Sequence, residues 1–155
     1  MWIPYAVTTM AMVLVAVTGM LATDIGEWYR NLIKPSWQPP DWLFGPAWTT
    51  IYICIIASVG MAWNRSPANL HASIIALVVV NFVLNMLWSV LFFKLRRPDW
   101  ALIEVVFLWL SVLSLIVFFK GVHALSSWLL LPYILWVSFA AFLTLTIVRL
   151  NKPFT

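Results

Sequence analysis

Five apolar stretches, each about twenty residues long, divide this chain and leave few alternatives for its fold. A helix rises about 1.5 Å per residue, so about 20 residues cross the roughly 30 Å of hydrocarbon in a bilayer. The stretches run over residues 4–23, 44–63, 71–93, 100–119 and 127–148. In lipid every backbone N–H and C=O must be satisfied within the segment that carries it, which selects helices or closed barrels. Runs of this length therefore predict an all-α membrane protein, a five-transmembrane-helix bundle. Composition agrees, because 64% of the 155 residues are hydrophobic and 9% are charged, whereas soluble domains carry about 25% charged residues. The length fits a single domain, 1–155. The first stretch has no basic residue before it and is followed by Asp24 and Glu27 rather than a small-residue cleavage site, so it is expected to be a mature span. Pro4 suits a helix start, while Pro132 inside the fifth stretch should kink that helix or mark a late beginning.

Several chemistries lack machinery. The nine Lys and Arg residues stand at the ends of apolar runs rather than in a patch, which argues against nucleic acid despite the net charge of +4. Cys54 is the single cysteine, and His71 and His123 lie far apart at span ends, so no metal site is expected. There is no Gly-rich phosphate loop, no G-x-S-x-G and no paired-carboxylate motif. No inverted pair of broken apolar segments suggests an alternating-access carrier.

Orientation follows from the basic residues, which stay in excess on the cytoplasmic side. With five spans, one face carries Arg30, Lys34, Lys94, Arg96, Arg97, Arg149 and Lys152, and the other only Arg65 and Lys120. The expectation is N-terminus outside, with the C-terminus and the long connection inside. That connection, residues 24–43, stands out, because structureless loops of such length are uncommon unless they bind something or act as lids. It is dense in Pro and aromatic residues, and proline fixes φ and removes donors, so it reads as a stiff, irregular strap. Its rings would also suit an interfacial aromatic belt.

Spacing places further residues together. Trp48 and Tyr52 are four apart and share a helix face below the strap. In the third stretch Asn81, Asn85 and Trp88 form a polar and aromatic stripe, and asparagine in lipid must find a partner, in a ligand or in another helix. Glu104 enters the fourth stretch as a possible buried acid, either a ligand group or a structural one bonded to a neighbour such as Asn85. Trp136 and Ala140 set a large ring beside a small side chain, a slot for a flat molecule or a place for helix contact. Ala72 and Ala76, at small-x-x-x-small spacing, are a candidate dimer face. By depth, Trp48, Tyr52, Asn85 and Glu104 lie within about three turns of the strap and Trp136 nearer the middle, so one aromatic pocket under one lid is expected.

The strap resembles a known signature. Trp28-Tyr29, Leu32, Lys34-Pro35-Ser36-Trp37, Pro39-Pro40, Trp48-Thr49 and Tyr52 are similar to the TspO/translocator-protein (TspO/MBR) family. Further matches are Leu84-Asn85, Trp88, Phe92-Phe93, Trp100-Ala101-Leu102 with Glu104, and Pro132-Tyr133 with Trp136, Phe139 and Ala140. The resemblance implies a homodimeric five-helix bundle that binds porphyrins such as protoporphyrin IX, sterols and benzodiazepine-type drugs, with no cofactor required. Carried over by position, it implies a ligand pocket of Tyr29, Pro39, Trp48, Tyr52, Asn85, Trp136 and Ala140. The alternative it carries is an enzyme that degrades porphyrin with light and oxygen through Trp48 and Trp136. Residues 141–150 contain no tyrosine, so the C-terminal sterol motif of mammalian members is missing, and Leu143-Thr144 stands where the family has Leu-Asn.

Overall fold

The computed structural model describes residues 1–154. Seven α-helices occur among the described residues: α1 (Ile3–Ala22), α2 (Glu27–Asn31), α3 (Phe44–Arg65), α4 (His71–Ser89), α5 (Pro98–Val122), α6 (Ala124–Trp128) and α7 (Leu131–Asn151). Five helical segments are long and apolar enough to cross a membrane, formed by α1, α3, α4 with its extension, α5, and α6 with α7. The protein is a multi-pass integral membrane protein.

Proline and hydrogen-bonding side chains set the boundaries. Pro4, Pro98 and Pro132 each lie in the first turn of a helix, where a missing N–H costs nothing. The fifth segment runs over Ala124–Asn151, in which α6 forms a separate turn and Pro132 opens α7. The expected six-residue link at 94–99 shrinks to Leu95–Arg97, because helical structure continues beyond α4 as a π-turn over Val90–Lys94. Arg97 then holds Asp99 through two hydrogen bonds of 2.9 and 2.6 Å. The strap is more regular than its composition suggested. It contains α2, whose start is shaped by Asp24 Oδ1 accepting from the Gly26 N–H at 2.9 Å, and a 3-10 turn at Asp41–Leu43 after the Pro39-Pro40 pair.

The helices close a ring in the order α1, α3, α6 with α7, α5, α4 and back to α1. On α5 the buried residues Ala101, Glu104, Val105, Leu108, Val112, Leu115 and Phe119 recur at helical spacing and face α4 and α7, while Ile103, Val106, Phe107 and Val117 point outward to lipid. Polar side chains pin the end opposite the strap. Ser58 Oγ donates to Ser126 O at 2.6 Å and Ser127 Oγ to Ile116 O at 2.8 Å. Both histidines engage neighbours there, His71 stacking on Trp63 at 3.9 Å and His123 meeting Ser126 Oγ at 3.1 Å.

Gly60 lets α3 approach α1, since a Cβ there would overlap the Tyr5 ring. Gly60→Ala is therefore expected to lower stability by about 1–2 kcal/mol, the usual cost of overpacking. Thermal unfolding in detergent checks this, and an unchanged midpoint would show that the Tyr5 ring simply swings aside.

Candidate functional site

The strap lies across the ends of α4, α5 and α7 as a lid, held by rings and by one side chain. The π-turn fans Phe92 and Phe93 toward it: Trp28 meets Phe92 at 6.2 Å, Tyr29 meets Phe93 at 5.6 Å, and Trp37 stacks on Phe142 at 5.2 Å. Asn151 clamps the lid to α7. Its Oδ1 accepts from the Ile33 N–H and its Nδ2 donates to Ile33 O, both at 2.8 Å, as a paired strand would. Within the lid, Tyr29 donates to Asp41 at 3.1 Å and accepts from Gln38 at 3.1 Å, with the Lys34 ammonium 3.9 Å above its ring. Burial, reinforced by the Asp41 charge, pushes the Tyr29 hydroxyl up to about 12, so it remains a donor at neutral pH.

Beneath the lid is a cavity of about 30 Å³ lined by Phe44, Trp48, Asn85, Trp88, Val105, Leu108, Trp136, Val137 and Ala140. Five of the residues picked out in the sequence, Trp48, Asn85, Trp88, Trp136 and Ala140, thus meet at one place. Trp48 and Trp136 lie edge to face at 6.4 Å, and Phe44 meets Trp136 at 5.4 Å. Tyr52 packs on Trp48 at 5.5 Å without lining the cavity, and Tyr29 and Pro39 belong to the lid rather than to the wall. Trp136 also borders a groove of about 360 Å³ between α3 and α7, together with Ala47, Thr50, Ile51, Pro132 and Phe139. A further apolar groove, of about 430 Å³, lies between α1, α3 and α4 and includes Pro4, Val7, Trp63, Ile74 and Phe82.

The buried polar groups sort into two kinds. Asn85 Nδ2 donates to the Tyr133 hydroxyl at 2.9 Å, Tyr133 donates to Asn81 Oδ1 at 3.2 Å, and Asn81 Nδ2 donates to Ser111 Oγ at 2.8 Å. Ser111 completes the chain by donating to Leu108 O at 2.7 Å. Asn81 therefore serves helix contact, and the partner of Asn85 is Tyr133 rather than Glu104. Tyr133 is fully buried and was not picked out from spacing; two asparagines four apart, both needing a partner, were the signal for it. Both Glu104 oxygens and Trp88 Nε1 are buried without a partner. Ala72 and Ala76 are exposed on the outer face of α4, near Val79, Val80 and Val83.

Comparison with known proteins decides the family: the TspO/MBR family model matches residues 6–150. The chain belongs to the TspO/MBR family. Its relatives include the "Tryptophan-rich protein TspO" of Chlorobaculum tepidum, 39% identical over 80% of this chain and 79% of that protein. "Protein CrtK" of Rhodobacter capsulatus is 37% identical over 97% of this chain and 96% of its own length. The human "Translocator protein" is 30% identical over 81% of this chain and 75% of that protein. As a TspO/MBR protein, the chain keeps its tryptophans where rings converge: Trp48, Trp88 and Trp136 on the cavity wall, and Trp28 and Trp37 in the lid.

Proposed function

We propose that this protein binds a flat tetrapyrrole of the protoporphyrin IX type beneath its lid, sensing such molecules or easing their movement, and needs no resident cofactor. The observation that carries this reading is the convergence of Phe44, Trp48, Trp88 and Trp136 on one cavity under a lid. Rings of this kind stack on an extended π-system and bury large apolar areas. The cavity of about 30 Å³ accommodates a body of water size, so a macrocycle enters only when these rings separate. Trp136, shared between the cavity and the groove between α3 and α7, is the ring whose swing would join them. The same pocket suits benzodiazepine-type drugs, whereas sterol recognition through a C-terminal tyrosine has no residue to support it in 141–150.

The reading includes a cytoplasmic lid and C-terminus, supported by the Lys and Arg excess on that face, and a homodimer through Ala72 and Ala76 on the outer face of α4. Quenching of tryptophan fluorescence by protoporphyrin IX in detergent tests the pocket. Trp48→Phe and Trp136→Phe are each expected to weaken binding about tenfold, equivalent to about 1.4 kcal/mol. Unchanged affinity in both would remove the site.

A second reading, breakdown of the porphyrin with light and dioxygen, is favoured by the contact of the Trp48 and Trp136 indoles at 6.4 Å on the cavity wall. Illuminating the same samples in air separates the two. Porphyrin absorbance lost no faster than with the Trp48→Phe/Trp136→Phe variant rejects a specific reaction.

A further inference from the structure

The groove of about 430 Å³ between α1, α3 and α4 lies at the end of the bundle opposite the lid and shares no lining residue with the cavity beneath it. Its floor is Val59, Ile74 and Phe82, all buried, and its rims are Val7, Ile75 and Val79, each more than half exposed. From Ile74 to Phe82 it descends eight residues of α4, about 12 Å, close to the roughly 15 Å of hydrocarbon in one leaflet. Thr8, inside the groove, spends its hydroxyl on Pro4 O at 2.7 Å, and Asn64 at the mouth donates to Met1 O at 2.8 Å. Below the mouth, then, an occupant meets apolar surface.

The mouth has the opposite character. Arg65 follows directly on Trp63 and Asn64, which line it, and is exposed with no ion pair among the described residues. No acid of the chain stands at this end to neutralise it. The five carboxylates, Asp24, Glu27, Asp41, Asp99 and Glu104, lie in the strap or within two turns of the lid end of α5. An unpaired guanidinium at the top of an apolar groove one leaflet deep complements an amphiphile with an anionic head and an alkyl tail.

We propose that this groove seats an acyl chain of an anionic glycerophospholipid, with its phosphate at Arg65. The guanidinium fork presents paired N–H donors to phosphate oxygens, and the chain runs down over Ile74 to Phe82. A second copy of the protein fits less well. A helix about 10 Å across would take up roughly 900 Å³ over 12 Å of length, twice what the groove offers. The site is independent of the cavity beneath the lid and of the porphyrin reading.

Native mass spectrometry tests this on the full chain, released from micelles doped with equal amounts of dioleoyl phosphatidylglycerol and dioleoyl phosphatidylcholine. Wild type is expected to retain the anionic lipid about fivefold over the zwitterionic one, the effect of one basic residue near an anionic headgroup. Arg65→Gln should bring the ratio to about one, and Arg65→Lys should keep most of it. Lys120→Gln removes the other basic side chain at that end and should leave the ratio unchanged. Ala11→Phe, which fills the groove, should lower retention of both lipids about tenfold, and Val79→Phe on the exposed rim does the same should Ala11→Phe not fold. Inorganic phosphate in millimolar excess should displace neither lipid, because the tail supplies most of the binding. A wild-type ratio near one, a preference that survives Arg65→Gln, displacement by phosphate, or retention untouched by filling the groove would overturn the proposal. So would a lipid-free wild-type dimer that the filled variants split into monomers, since that assigns the groove to a second copy.

Discussion

Tyr133→Phe should destabilise the folded bundle by about 2–3 kcal/mol although it removes a single oxygen atom. The Tyr133 hydroxyl accepts from Asn85 and donates to Asn81, so its loss strands an amide donor on one asparagine and a carbonyl acceptor on the other. Each stranded buried group costs about 1–3 kcal/mol, and the lower part of that range applies because a membrane-embedded unfolded state also finds partners. Unfolding equilibria in mixed micelles measure the effect. Adding Asn81→Leu and Asn85→Leu to Tyr133→Phe should cost less than the separate changes sum to, since replacing all partners by apolar groups leaves little unsatisfied. Strict additivity would show that the three side chains do not act as one network.

The lid is expected to respond to one residue at the far end of the chain. Asn151→Ala removes both hydrogen bonds to Ile33, leaving the lid held by aromatic contacts and by the exposed Asp24–Arg96 pair at 3.6 Å. Two bonds worth about 1 kcal/mol each correspond to roughly a thirtyfold rise in local opening. Hydrogen exchange in the segment around Ile33 should accelerate by that factor while α5 stays protected. Protoporphyrin IX should also associate faster, because the rings over the cavity are released more often. Unchanged exchange at Ile33 would mean that the stack of Trp37 on Phe142 holds the lid without the clamp.

These two residues mark the limit of what was legible in sequence. Asn151 and Ile33 are 118 positions apart, and Asn85 and Tyr133 are 48 apart. No periodicity within one helix reports such a pairing. Spacing did bring Trp48, Asn85, Trp136 and Ala140 to the same wall, because each lies near a lid whose position follows from counting spans. Tyr52, placed at the same depth by spacing, packs on Trp48 rather than lining the cavity, since depth along a helix says nothing about which way a side chain turns. The helix at Glu27–Asn31 was missed because five residues are too few for a period to emerge.

The sequence alone determined that the chain spans a membrane five times and carries a proline- and tryptophan-rich strap. Both rest on local properties, the length of an apolar run and the fixed φ of proline, which hold wherever the segment is placed. Only the tertiary structure decided which polar groups satisfy one another and which stay open. That depends on the register between helices, and it is the register of α4 against α5 that pairs Asn81 with Ser111 and leaves Trp88 and Glu104 unpaired.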